Sequence, residues 1–306
     1  MTGAGSGELL FCRETELAGS LVDADGESTP DSTGFGRDPS LTELDLQNQL
    51  ERLRDDNSVW SVESVKQNFN GAVSVEATVA GDVHDEVEKF VFNDGGTAMQ
   101  AGLANSIRIF TGVNFAGGSA ERILKGAIPL SYDISYNQGE MVTYSLSMAY
   151  ADEEPATSVD LSSANRPSEG ESVAFHGFEL QIDGGTVVED LQSCTLSISE
   201  IARFQRGTSP TPNRGVIAAP SATLDATALF TTPSRLDIAR GDATGGLPDT
   251  LDSVTGTITL TSQSGTVSTY NLNALKPDSY SWENVISTEN TADTTTFNID
   301  GGVTVS

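Results

Sequence analysis

ERILKGAIPLSYDISYNQGEMVTYSLSMAY, residues 121–150, is the stretch on which the fold turns. Residues 121–136 and 141–150 alternate apolar side chains with small or polar ones, the period of a strand with one buried face. Between them, Asn137-Gln138-Gly139-Glu140 forms a turn in which Gly139 supplies the positive φ of a tight reversal. Tyr144, Leu146, Met148 and Tyr150 fall on one face of the return strand. The segment reads as a β-hairpin.

Working outward, the same alternation marks GAVSVEATV at 71–79 (Val73, Val75, Ala77, Val79) and SIRIFTGVNF at 106–115. Further strands are expected at 172–183, 187–204, 216–230, 254–262, 266–272 and 296–305. Residues 82–92 have two readings, a short helix through Val83, Val87, Phe90 and Val91, or a strand through Lys89-Phe90-Val91-Phe92. LTELDLQNQLERLRD at 41–55 is expected to be a helix: Ser40 and Glu43 match a capping box, and Leu41, Leu44, Leu46, Leu50 and Leu53 form a stripe at helical spacing. Residues 1–40 read as an irregular arm with one short strand at Leu9–Phe11. Long loops are expected at 151–170, at 205–215 where Pro210 and Pro212 interrupt the chain, and at 240–250. No fixed-period repeat is present, which argues against a solenoid or propeller. The expectation is an N-terminal arm at 1–57 carrying the helix at 41–55, then a β-rich domain at 58–306.

Charge narrows the function classes. Asp and Glu total 44 against 16 Lys and Arg, a formal net charge of −28 in 306 residues. High charge with few apolar residues can mean an unfolded chain, but strand alternation persists from about residue 58 to the end. Adaptation to molar salt accounts for both facts. The Debye length there is roughly 3 Å, so surface carboxylates barely repel one another while their hydration maintains solubility. Gripping nucleic acid by its phosphates needs clustered Lys and Arg. The densest basic group is Arg203, Arg206 and Arg214, which better suits a loop with salt-bridge partners. Cys12 and Cys194 are too few for a disulfide framework and read as buried thiols. MTGAGSGELLFCRE at the N-terminus carries neither a secretory nor a twin-Arg signal, and no apolar run approaches a bilayer span. The protein is expected to be made and kept in the cytoplasm until it assembles.

The residues that could carry catalytic or binding chemistry form only weak patterns. Gly117-Gly118-Ser119-Ala120-Glu121 lacks the last Gly of a nucleophile elbow and precedes a strand. Gly34-Phe35-Gly36 is a lone pair of glycines. His84 stands beside Asp85, Glu86 and Glu88, a set that could hold a divalent ion but more commonly is a solvated helix face. Asp23, Asp25 and Glu27 around Gly26 resemble part of a calcium loop without its later ligands. His176, in AFHGFEL, reads as a satisfied strand histidine. No residue is assigned a catalytic, cofactor-binding or metal-binding role; no cofactor is expected, and the chain is not expected to be an enzyme.

Residues 114–154 resemble the first-half hairpin of tail tube proteins of long-tailed, non-contractile (siphovirus-like) viruses, especially those of haloarchaea. The features are the Leu124-Lys125-Gly126-Ala127 lead-in, the turn at Gly139, and the return strand ending at Asp152-Glu153-Glu154. Residues 174–230 and the segment from Tyr270 to Tyr280 are similar in layout. Residues 1–70 depart from the family. The resemblance implies a β-sandwich or half-barrel of the tail tube type with one or two flanking helices. It also implies homohexameric rings stacked into a hollow tube through which viral DNA is ejected. Partners would be other copies of the chain, with tape measure, terminator and baseplate proteins at the tube ends. Viral DNA would pass without specific binding along an acidic lumen, no membrane would be involved, and the location would be the virion tail, assembled in the host cytoplasm. The alternatives are a β-sandwich adhesin or fibre protein that binds a host surface, for which Trp60 and Trp282 are the only tryptophans, or another tail or baseplate component. An enzyme, for example a metal-assisted hydrolase using the His84 cluster, is the third class.

Overall fold

The computed structural model describes residues 7–22, 32–54, 56, 59–92, 99, 101–115, 118–155, 168–241 and 247–306. Asp23, Asp25, Gly26, Glu27, Gly117, and parts of the expected loops at 151–170 and 240–250 lie outside the described residues.

The chain runs β1 (Gly7–Arg13), β2 (Arg37–Leu53), β3 (Glu63–Thr78), α1 (His84–Phe92), β4 (Ile107–Phe115), β5 (Gly118–Asn137), β6 (Thr143–Tyr150) and β7 (Asp152–Pro155). After a 3₁₀ turn (Phe175–Gly177) come β8 (Phe178–Ile182), β9 (Thr186–Val187), β10 (Leu191–Ser199), β11 (Ala202–Gln205), β12 (Arg214–Ile217) and β13 (Ser221–Leu229). Then follow α2 (Ser234–Arg240), β14 (Val254–Ser262), β15 (Gly265–Glu283) and β16 (Ala292–Val305). The protein is therefore mostly β with two flanking helices among the described residues.

Fourteen strands form one sheet. Its main path is β2-β3-β6-β5-β10-β13-β16-β15-β14-β8-β9, with β4 and β7 branching from β5 and β1 from β4; β11 and β12 pair separately. The pairings along this path are antiparallel. The sheet rolls back on itself. Val173, just before β8, donates to Val79 O at 3.0 Å and accepts from Val142 N at 2.9 Å, tying the β8 end to the β3–β6 side. One continuous apolar core fills the interior, with contributions from β3, β5, β6, β10, β13, β14, β15, β16 and α1.

β5 makes this architecture possible. Its first half pairs with β4 and β7, its second half with β6 and β10. The change of partners falls around Gly126, whose φ of +63° is a left-handed conformation that glycine tolerates best. The β5–β6 hairpin is the one read from sequence: Gly139 has φ +86°, and Tyr144, Leu146, Met148 and Tyr150 are buried. Gly71 in β3 lies under the Tyr150 ring, where an added Cβ would come within 2.2 Å of a ring carbon. Gly71→Ala is expected to cost about 1–3 kcal/mol by overpacking, read as a lower urea midpoint in molar KCl.

The expected helix at 41–55 is not formed: residues 41–53 belong to β2, which pairs with β3 from Arg37 opposite Thr78 to Leu53 opposite Glu63, and residue 55 lies outside the described residues. Ser40 faces Glu76 instead of capping a helix, and Glu43 accepts from Ser74 Oγ at 3.2 Å. Three register shifts along β2 break the strict two-residue alternation and leave leucines at spacings that mimic a helical stripe. The described strands within the expected arm at 1–57 join the main sheet: β1 pairs with β4 and β2 with β3. The 205–215 loop is docked rather than free. Phe69 N donates to Pro210 O at 3.1 Å, and Arg206 donates to Phe69 O and Asn70 Oδ1 at 2.7 and 2.6 Å.

Candidate functional site

Two features rise above the scaffold: a sealed polar cluster beneath α1, and a β-hairpin that extends past the body of the protein.

α1 splits the acidic group expected around His84 between two faces. Asp85 and Glu86 point outward and pair with Lys89 at 2.6 and 2.8 Å, and Arg13 reaches Glu86 at 3.2 Å. These two are the solvated face. His84 and Glu88, one helical turn apart, point inward and are 1% and 4% exposed. The four groups therefore do not converge on an ion. Among the described residues, no group of three His, Cys, Asp or Glu side chains is placed to hold a metal.

The inward pair meets three hydroxyls from the sheet, Tyr132 of β5 and Ser268 and Tyr270 of β15. His84 Nε2 lies 3.0 Å from Tyr270 Oη, 3.0 Å from Tyr132 Oη and 3.4 Å from Glu88 Oε1. Ser268 Oγ donates to Glu88 Oε1 at 2.6 Å, and Tyr270 Oη donates to the same oxygen. The Tyr132 and Tyr270 hydroxyls are 3.2 Å apart. Nδ1 of His84 is buried without a hydrogen-bond partner. Burial dominates the electrostatics. It lowers the His84 pKa to about 3 against a small opposing pull from Asp85, and raises Glu88 to about 7 against the hydrogen bonds from Ser268 and Tyr270. It also pushes Tyr132, Tyr144 and Tyr270 upward. The cluster can share protons internally, with its histidine and tyrosines enclosed in the core.

The remaining candidates disperse. His176 is an exposed residue of the 3₁₀ turn, not a strand histidine. Arg206 is held by backbone and amide oxygens, while Arg203 and Arg214 are exposed at opposite ends of the β11–β12 pair, so they form no basic track. Cys12 and Cys194 are both buried and unbridged. Glu153 and Glu154 pair with Arg122 and Lys125 at 2.6 and 2.7 Å. No helix among the described residues is long and apolar enough to cross a membrane.

The second feature is the distal half of the β2–β3 hairpin. Its root is clamped: Tyr150 Oη donates to Asp45 O at 2.8 Å, Phe69 packs edge-on against Tyr150 with centroids 5.5 Å apart, and Arg206 holds Phe69 and Asn70. Beyond that root the described side chains of both strands are exposed. Leu46, Leu50, Val59, Trp60 and Val62 are 45%, 56%, 81%, 83% and 56% exposed. A second apolar tip, Trp282, Val285 and Ile286, sits at the β15–β16 turn, with Ile286 fully open to solvent. A helix reading of 41–55 hides the first tip, because it assigns its leucines to an internal face.

The chain matches no protein-family model and no curated protein.

Proposed function

We propose that this chain is a structural subunit that polymerises: the major tail tube subunit of a long-tailed, non-contractile virus of haloarchaea. In this reading hexameric rings stack into the channel for DNA ejection. One observation carries the self-assembly: a clamped hairpin that ends in exposed leucines, valines and a tryptophan. Leu46–Leu53 extends roughly 25 Å at about 3.3 Å per residue. A two-stranded ribbon of that kind is marginal alone in water, and an apolar surface of this extent is a contact site in a soluble protein. The chain as a whole carries a formal net charge of −28. Concentrated salt screens that repulsion and strengthens apolar burial when the salt is excluded from protein surfaces. Both effects favour association of copies in brine. The layout of β5, β6 and the later strands supports the tail tube form of the polymer, as does the rolled sheet with flanking helices.

Negative-stain microscopy of the purified chain in molar KCl tests this directly. Rings or tubes are expected, and dialysis to low salt is expected to dissociate them as acidic surfaces repel. Monodisperse monomers at tens of micromolar in brine would overturn the proposal. The lumen of the rings is expected to be net acidic, so that DNA phosphates slide without sticking; an arginine-lined channel would contradict that part. One observation favours the adhesin or fibre alternative: both tryptophans are exposed, Trp60 at 83% and Trp282 at 46%. Monomers that bind host envelopes would select it.

A further inference from the structure

We propose that His84 and Glu88 form a compensated pair that keeps one proton between them and makes the docking of α1 insensitive to pH from about 5 to 7. The inference stands apart from the assembly reading and concerns how the rolled sheet retains α1.

The two side chains lie on the same buried face of α1, with Nε2 and Oε1 3.4 Å apart. Both reach the Tyr270 hydroxyl, which donates to Glu88 Oε1 and so leaves its oxygen to accept from His84 Nε2–H. This tautomer leaves the orphaned Nδ1 with only a lone pair. A second proton on the ring would need an acceptor at Nδ1, and none is there. Conversely, an ionised Glu88 would sit in the core with no cation to answer it. The groups around the pair are Asp85 on α1 itself, Tyr132 from β5, Tyr144 from β6, and Ser268 and Tyr270 from β15. β16 contributes no titratable group to it among the described residues. Lys89, the nearest cation on α1, is turned outward to Asp85 and Glu86.

Undocking α1 releases both groups to water, and their effects then oppose. Glu88 titrates near 4.5 when free and about 7 when docked, so its contribution to docking is lost as pH rises through that interval. His84 titrates near 6.5 when free and about 3 when docked, so its contribution is lost as pH falls through that interval. Between about pH 4.5 and 6.5 the docked pair holds its proton on Glu88, while the undocked pair holds one on His84. The proton count is nearly the same, so the equilibrium hardly depends on pH there, and the partial ionisation of Glu88 at pH 7 changes it by less than about twofold.

The test is hydrogen exchange of the α1 amides in the full chain in molar KCl, corrected for intrinsic rates, at pH 5, 6 and 7. In the wild type, protection is expected to stay within about twofold. Glu88→Gln retains an oxygen acceptor for Ser268 and Tyr270 but removes the carboxyl. It is expected to open roughly 25-fold more at pH 5 than at pH 7. His84→Asn leaves Glu88 alone and is expected to open roughly 40-fold more at pH 7 than at pH 5. The double variant is expected to be flat again. A tenfold change in the wild type, or two single variants with slopes of the same sign, would overturn the proposal. If His84→Asn does not fold, the wild-type profile and the sign for Glu88→Gln still decide it.

Discussion

Trp60→Asp combined with Leu50→Asp is expected to abolish assembly in molar salt while leaving the subunit folded. Both side chains are exposed, at 83% and 56%, and lie beyond the clamped root of the hairpin. Removing them takes nothing from the subunit's core, and exposed substitutions of this kind usually change stability by less than about 0.5 kcal/mol. In an assembly that covers the hairpin tip, each aspartate would need its charge desolvated without a partner. Interface hot spots of this type, with tryptophan prominent among them, are worth about 2 kcal/mol or more each. Together the pair should weaken association by on the order of a thousandfold, since about 1.4 kcal/mol is a factor of ten. Sedimentation velocity across a concentration series in molar KCl measures this, with circular dichroism as the check on folding. Assembly at the wild-type concentration would remove the hairpin from the interface.

The largest loss of subunit stability is expected from Glu14→Ala. Glu14 follows β1, and its side chain is fully enclosed. Its carboxylate accepts from Ala18 N at 2.9 Å, Ser106 Oγ at 2.9 Å, Gly126 N at 3.1 Å and Arg108 Nε at 3.2 Å. It therefore ties the first segment of the chain to β4 and to the point where β5 changes partners. Alanine would leave the buried Gly126 N–H, the partly buried Ala18 N–H and Arg108 Nε without this acceptor, while the guanidinium keeps its bond to Gly19 O at 2.6 Å. Breaking a buried, hydrogen-bonded ion pair on one side costs about 3–5 kcal/mol, and orphaned donors add to this. A corresponding fall in the urea midpoint in molar KCl is expected, with proteolysis sites appearing in the first twenty or so residues. Glu14→Gln, which keeps one acceptor oxygen, should fall between. An unchanged midpoint for Glu14→Ala would mean that the amides at Ala18 and Gly126 are satisfied without it.

The contrast between these two regions shows what kind of information a sequence carries. The β5–β6 hairpin was legible because its determinants are local: a glycine with φ +86° and side chains alternating over adjacent strands. The β14 strand was legible at 254–262 for the same reason. Residues 41–55 were misread because their helix formers favour α structure in isolation, while the hydrogen bonds that make them β come from β3. The cluster under α1 was half legible. The period of 82–92 allowed a helix, but His84 finds its partners Tyr132 and Tyr270 at separations of 48 and 186 residues. No local pattern records such a meeting.

By itself, the sequence determined the acidity, the mostly β character and the central hairpin, because composition and period-2 alternation are properties of neighbouring residues. Only the tertiary structure decided that Leu46, Leu50 and Leu53 lie exposed on a strand, that Glu14 joins β1 to the bend of β5, and that His84 and Glu88 are enclosed. Each of these depends on which distant backbone supplies hydrogen bonds and which distant side chain excludes water, and that is settled when the sheet rolls around its core.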